Sequence, residues 1–105
     1  MKPLIPFLFV AAGLLAPAGA ALASEELAKK YACLSCHAMD KKLIGPAYKD
    51  VAAKYKGDAK AEAMLFDQIK KGSQGKWPGG IPMPPNGTVP DADIKTLVKW
   101  VLSAK

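Results

Sequence analysis

The stretch Cys33-Leu34-Ser35-Cys36-His37, which reads CLSCH, holds both cysteines and the only histidine of the 105-residue chain. Cys33 and Cys36 are three residues apart and His37 is four residues from Cys33, so one helical turn brings the three side chains to the same side. The motif therefore concentrates all of the chain's thiol and imidazole chemistry in a single turn.

Four kinds of site use residues of these types. A disulfide needs only Cys33 and Cys36 and leaves His37 without a role. A zinc site needs four ligands, and because the chain has no other cysteine or histidine, a carboxylate would have to complete it. A thioredoxin-type dithiol lies at the start of a helix in a βαβ unit, for which this chain has neither strands nor length. C-x-x-C-H is also the attachment motif of c-type haem, and the context of the motif favours this fourth reading.

Residues 1–23, MKPLIPFLFVAAGLLAPAGAALA, have the pattern of a cleaved secretory signal peptide. A lysine near the start is followed by an apolar run and then by small residues up to Ala23. The run is interrupted by Pro6, Gly13 and Pro17 and is shorter than the ~20 residues that span a bilayer. All 15 basic residues are lysine, so the twin-arginine export signal is missing. We expect Sec-type export to the periplasm and cleavage after Ala23.

Residues 24–105 form the expected mature domain of 82 residues with a net charge of +5. A domain of this size commonly needs a disulfide, a metal or another staple, and haem would add a large apolar core. The positive charge suits an acidic or anionic partner surface. Nucleic acid is not expected as a partner, because the chain has no arginine for bidentate base contacts. We expect a monomer without stable membrane insertion once the signal peptide is removed.

The pattern of apolar residues predicts an all-α domain, in which short helices are joined by loops rich in glycine and proline. The helices are expected from an N-cap at Ser24 into the CLSCH motif, over 48–55, from Asp58 to Gly72, and from Pro90 to the end of the chain. Residues 73–90 contain too many glycines and prolines for regular structure. Such a long loop in a small domain is typical of a functional or a disordered segment.

The chain has one histidine, so the second axial position of a haem iron would be filled by methionine or lysine or would stay open. Met39 is too close to His37 to reach the opposite haem face, and Met64 lies mid-helix, where core packing is the simpler role. Met83 lies in Ile81-Pro82-Met83-Pro84-Pro85-Asn86, 46 residues after the histidine. The prolines around it restrict φ, so little backbone entropy is lost when the sulfur is held. Met83 is therefore the expected ligand, and Met/His is a recurrent electron-transfer pair.

Five segments resemble the small bacterial class I cytochromes c of the cytochrome c-551 (cytochrome c8) type. They read CLSCH at 33–37, GPAYKDVA at 45–52, GSQG at 72–75, IPMPPN at 81–86 and KWVL at 99–102. The resemblance implies a monohaem class I cytochrome c fold, about four short helices wrapped around one covalently bound haem c, with the first and last helices crossing. It also implies a periplasmic electron carrier, not an enzyme. The implied redox partners are a terminal oxidase, a cd1-type nitrite reductase, a small copper protein and a quinol-oxidising cytochrome complex.

The same resemblance implies a role for each residue of the haem site. Cys33 and Cys36 would carry the haem through thioethers, and His37 and Met83 would be the axial ligands of the iron. The carbonyl of Pro46 would accept a hydrogen bond from the other ring nitrogen of the histidine, which would fix the orientation of the imidazole.

Three further positions of the resemblance concern the surroundings of the haem. Asn86 would hydrogen-bond near the methionine sulfur, and Trp77 would donate its indole N–H to a haem propionate, although a tryptophan can also simply pack. The family often has an arginine near the propionates where this chain has Gln68. The stretch 77–80 is one residue longer than is usual in the family.

Three functional classes follow from these features. The first is outer-sphere electron transfer, in which Lys29, Lys41, Lys42 and Lys76 surround an exposed haem edge and steer docking, although each lysine can also be an ordinary solvated residue. The second is a haem enzyme or gas sensor with a labile sixth position, which would need a distal base. The third is a periplasmic thiol-disulfide protein without haem.

Overall fold

The computed structural model describes residues 16–75, 77 and 81–105, and within them the regular structure is helical. The helices are α1 (Ala16–Lys30), α2 (Tyr48–Lys54), α3 (Ala61–Lys71) and α4 (Asp91–Leu102). These residues contain no strand, only an isolated antiparallel bridge between Ser73 and Met83. The expected all-α class is confirmed. In the same part of the chain, no helix combines the length and the apolar character needed to cross a bilayer.

In the full-length chain α1 begins at Ala16, earlier than expected, so Ser24 is not its N-cap there. The residues from Ala16 onward are rich in alanine, which has the highest helix propensity, and a proline is tolerated in a first helical turn. Ser24 consequently lies inside the helix, where it is 4% exposed. Lys29 and Lys30 occupy the last turn, where positive charge is favourable.

The first helix does not continue into the CLSCH motif. It is interrupted at Ala32, whose φ of 62° and ψ of 22° are left-handed, and a 3₁₀ turn over Cys33–Ser35 follows. The backbone N–H groups of Cys36 and His37 both donate to the carbonyl of Cys33, at 3.2 Å and 3.1 Å. The motif is therefore one closed turn set off from α1, and the expected continuous helix is wrong at this point.

The expected ends of the other helices are close to those observed. Asp58 precedes α3, and its Oδ1 accepts the backbone N–H of Lys60 at 2.8 Å. Gly72 ends α3 with a φ of 89°. Pro90 immediately precedes α4. The signals of local capping and termination thus predict α3 and α4.

Helix α4 is the centre of the domain, because α1, α2 and α3 all pack against it. It buries Ile94, Leu97, Val98 and Val101, of which Ile94 and Val98 are 0% and 2% exposed. The core is completed by Tyr48 and Val51 of α2, Leu65 of α3 and Val89 of the loop before α4. The implied contact between the first and last helices is present. The apolar core is therefore built around α4.

Tyr31, which follows α1, donates its hydroxyl to Asp93 of α4 at 2.8 Å. This hydrogen bond, with some burial and the nearby negative charge, raises the pKa of Tyr31 above its usual value of 10.0. A raised pKa means that the contact stabilises the fold below the usual pKa and is lost as the pH rises through the raised value.

We expect Asp93→Asn to lower the pKa of Tyr31, as measured by tyrosinate absorbance against pH. Asp91→Asn is the matched control, and identical titrations of the two variants would contradict the assignment.

Candidate haem site

Cys33 and Cys36 are not joined in a disulfide, and both residues are half-buried. Burial raises the pKa of the Cys33 thiol, and a hydrogen bond with the hydroxyl of Tyr48 opposes that rise only in part. Cys33 begins the short turn at Cys33–Ser35 and Cys36 follows it directly, so both sulfurs lie on one small segment of backbone.

His37 is held by a backbone carbonyl and an aromatic ring. Its Nδ1 lies 2.8 Å from the carbonyl oxygen of Pro46. A carbonyl can only accept, so Nδ1 carries the proton in this contact and Nε2 keeps its lone pair free for a metal. The imidazole is stacked on Tyr48, with ring centroids 4.9 Å apart and an interplanar angle of 18°. Tyr48 in turn meets the edge of Trp100 at 5.5 Å, which ties the histidine to α4.

Gly45 makes room for the His37 ring, a role that the sequence did not indicate. A Cβ at this glycine would lie 2.5 Å from Cε1 of His37 and 2.9 Å from each of its ring nitrogens. The backbone N–H of Gly45 also donates to the carbonyl of Cys36 at 2.7 Å, which fixes the loop against the motif. The available signal is a Gly-Pro pair eight residues after the histidine, from which the resemblance assigns a role to the carbonyl of Pro46 but none to Gly45.

Met83 is held at its backbone by the segment that follows α3. Its N–H donates to the carbonyl of Ser73 at 2.8 Å, and its carbonyl accepts the N–H of Ser73 at 2.9 Å. Three residues later the backbone N–H of Asn86 donates to the carbonyl of Ile69 at 2.9 Å. The amide Nδ2 of Asn86 donates to the carbonyls of Ile69 and Pro84, at 3.3 Å and 3.2 Å. Asn86 therefore fastens the loop to α3, and its hydrogen bond near the sulfur stays a prediction.

The other predicted side chains have different surroundings. Met39 is 39% exposed beside the motif, whereas Met64 packs against the core. Trp77 is half-buried against the core, and the Nζ of Lys54 lies 5.4 Å from the centroid of its ring. This cation–π contact was not expected from the sequence.

The lysines expected around the site are exposed where the structure describes them. Lys29 pairs with Glu25 at 3.8 Å, and Lys41 and Lys42 lie in the loop after His37. Lys76 lies outside the described residues, as does most of the 77–80 stretch that is longer than usual, namely 78–80.

The residues present fit a haem. Ile44 in the His37 loop and Ile81 in the Met83 loop are 54% and 62% exposed, so each loop offers apolar surface to an apolar ring. The buried Nε2 of Gln68 has no hydrogen-bond partner within the described part of the chain. A buried donor of this kind is costly unless a polar group satisfies it, and a haem carries such groups.

Comparison with known proteins gives the same assignment. The family model for cytochrome c matches residues 18–105. The chain is 55% identical to cytochrome c-551 of Pseudomonas aeruginosa, with 100% of both chains covered. It is 50% identical to cytochrome c-552 of Nitrosomonas europaea, over 90% of this chain and 91% of the relative. The crystal structure of wild-type Nitrosomonas europaea cytochrome c552 matches with a TM-score of 0.73 and 49% identity, covering 77% of this chain and 99% of that one.

The family determines the cofactor and the general activity. Cys33 and Cys36 have the spacing of the C-x-x-C-H motif, and the cofactor of the chain is one covalently bound haem c. Cytochromes c transfer electrons and are not enzymes, which confirms that expectation. The chain belongs to the cytochrome c family and is a small haem electron carrier of the cytochrome c-551 type.

Proposed function

We propose that this chain works in the periplasm as an electron carrier whose haem iron is bound by His37 and Met83. The proposal rests on the backbone of Met83, whose N–H and carbonyl are both hydrogen-bonded to the backbone of Ser73. Met39 and Met64 lack such a setting, since one is exposed beside the motif and the other packs in the core. A methionine whose backbone is fixed in this way suits a permanent ligand.

His37 is prepared for its role before any iron is bound. The contact with Pro46 selects the tautomer in which Nε2 is unprotonated. Stacking on the buried Tyr48 restricts rotation of the imidazole. The ring is consequently oriented by its surroundings rather than by the metal alone.

Met83 determines the redox character of the site. A soft thioether sulfur binds Fe(II) better than Fe(III), which raises the reduction potential. Bound haem supplies a one-electron Fe(II)/Fe(III) couple. Because the backbone on both sides of Met83 is restrained by prolines and by Ser73, the ligand keeps its place in either oxidation state. Electron gain or loss then requires little rearrangement of the chain.

The periplasmic location rests on the amino-terminal sequence. A lysine, an apolar run and small residues up to Ala23 form the Sec-type signal, and cleavage there leaves residues 24–105 as the cytochrome domain. Amino-terminal sequencing of protein from the periplasmic fraction checks this, since the mature chain should begin at Ser24. A chain that retains residues 1–23 would contradict cleavage.

The partners that we propose are redox proteins with acidic docking surfaces. The candidates are a terminal oxidase, a cd1-type nitrite reductase, a small copper protein and a quinol-oxidising cytochrome complex. The mature domain carries a net charge of +5, and Lys41 and Lys42 are exposed in the loop after His37. Opposite charges on the partner would accelerate encounter.

The rate of electron exchange with an acidic partner is expected to fall as salt is added. Raising the ionic strength from about 0.01 M to about 0.1 M shortens the Debye length from about 30 Å to about 10 Å and screens the steering charges. Stopped-flow measurement of the second-order rate constant checks this. Lys41→Glu should weaken the salt dependence, whereas Lys105→Glu at the far end of the chain is the control. A rate that is independent of salt would exclude docking through charge.

Replacement of Met83 by alanine tests the ligand assignment. The far-red absorption band of Met-ligated ferric haem should disappear, and the reduction potential should fall by a sizeable part of the ~0.8 V over which axial ligands tune haem. Met64→Ala is the matched control, because its side chain packs in the core. It should keep the band. If the band survives in Met83→Ala, another residue is the ligand.

A further inference from the structure

Gly72 ends α3 in a conformation that side chains rarely adopt. Its φ is 89° and its ψ is 168°, a region that is essentially restricted to glycine. Its N–H donates to the carbonyl of Gln68 at 2.9 Å, which is the last helical hydrogen bond of α3. The chain therefore turns sharply away from α3 at this position.

The space beside Gly72 is filled by the Met83 loop. A Cβ on Gly72 would lie 2.8 Å from the carbonyl oxygen of Met83, 3.2 Å from the nitrogen of Pro85 and 3.3 Å from Cδ of Pro85. Two of these atoms are backbone, and the third belongs to a proline ring, so none can move aside as a flexible side chain would. Real Cβ atoms do not approach other atoms to 2.8 Å, and the loop would have to shift.

The same loop is fixed to α3 on either side of this contact. Ser73, the next residue, exchanges two backbone hydrogen bonds with Met83, and Asn86 bonds to Ile69 in the last turn of the helix. The carbonyl that accepts from Ser73 is also the atom nearest to the missing Cβ of Gly72. The absence of a side chain at Gly72 is thus what allows these bonds to form at their observed lengths.

We propose that Gly72 is a positioning residue for Met83: by carrying no Cβ, it sets the separation between the end of α3 and the methionine loop, and with it the strength of the bond from sulfur to iron. This inference rests on the proposed ligation by Met83. Gly72 acts through the backbone of Met83 and touches no part of the iron coordination itself.

An alanine at Gly72 should weaken the bond between the Met83 sulfur and the iron without removing the ligand. Overpacking of this kind raises the population of the displaced state by roughly tenfold to hundredfold. An external ligand that competes for the sixth position then binds more tightly by the same factor, because its affinity scales with the fraction of iron left open. The reduction potential should also fall, since the thioether favours Fe(II).

The experiment is a titration of the ferric holoprotein with imidazole, followed by loss of the far-red band. We expect the apparent Kd of Gly72→Ala to fall roughly tenfold to hundredfold. Gly57→Ala is the matched control, because Gly57 also has a positive φ, of 78°, but nothing lies within 4 Å of its Cβ position. It should lose stability without any change in imidazole affinity. Equal affinities in the two variants would overturn the inference.

Two further results separate the possible failures. If Met83→Ala keeps the far-red band, the proposed ligation has failed and Gly72 has no ligand to position. If Met83→Ala loses the band but Gly72→Ala binds imidazole like the wild type, only the role of Gly72 is wrong. Should oxidised Gly72→Ala be too unstable to titrate, the reduced protein, which holds the thioether more strongly, is titrated with carbon monoxide, and the same comparison with Gly57→Ala applies.

Discussion

Substitution of Ile94 by alanine is expected to lower the free energy of unfolding by about 2–5 kcal/mol. Ile94 is 0% exposed on α4, the helix against which the other three pack. Removing its side chain leaves a cavity whose lining belongs to several helices, so the site has little freedom to collapse. Since a domain of this kind is stable by only about 5–15 kcal/mol, a large share of the stability would be lost. Guanidinium unfolding of the holoprotein, followed by circular dichroism, measures the change.

Lys95 provides the control for Ile94, because it is the next residue of the same helix and is exposed. Lys95→Ala should change the free energy of unfolding by less than about 0.5 kcal/mol. An Ile94→Ala variant as stable as Lys95→Ala would show that α4 is not the centre of the core.

Replacement of Gly45 by alanine is the second change with a large expected effect. The new Cβ would fall within 2.5 Å of Cε1 of His37. The imidazole ring cannot move aside easily, because it is hydrogen-bonded to the carbonyl of Pro46 and stacked on the buried Tyr48. Overpacking in such a place costs about 1–3 kcal/mol and sometimes more. We expect a less stable holoprotein in which the bond from His37 to iron is weakened and part of the haem becomes high-spin.

Gly87 is the matched control for Gly45. A Cβ at Gly87 would meet only the carbonyl oxygen of Lys70, at 3.9 Å, which is an ordinary contact. Gly87→Ala should therefore keep the wild-type spectrum and lose little stability. The spin state is read from the absorption spectrum and the stability from guanidinium unfolding. A fully low-spin Gly45→Ala protein with wild-type stability would refute the close approach of Gly45 and His37.

The sequence predicted the parts of the site whose signals are local. Asp58 and Gly72 predict the ends of α3, Pro90 and the apolar stripe predict α4, and the spacing of Cys33 and Cys36 predicts the haem motif. Each of these signals depends on neighbours within a few residues. Local chemistry was therefore sufficient for the fold class and the cofactor.

The missed features depend on contacts between distant segments. A glycine indicates conformational freedom, but the sequence does not show which atoms lie beside it. It therefore predicts the end of a helix at Gly72 and does not predict the contact between Gly45 and the ring of His37. Tyr48 was assigned only to a helix, because its stacking on His37 is visible only in three dimensions. The start of α1 at Ala16 in the full-length chain is not predicted, because Ser24 is a good capping residue and the residues before it have the pattern of a signal peptide.

The most direct test of the whole account is the coordination of the iron in the wild-type holoprotein. The absorption spectra of both oxidation states are recorded, and carbon monoxide is then added to the reduced form. Ligation by His37 and Met83 predicts low-spin, six-coordinate spectra in both states, a far-red band in the ferric state and no rapid binding of carbon monoxide. A five-coordinate, high-spin reduced spectrum with rapid carbon monoxide binding would contradict the account.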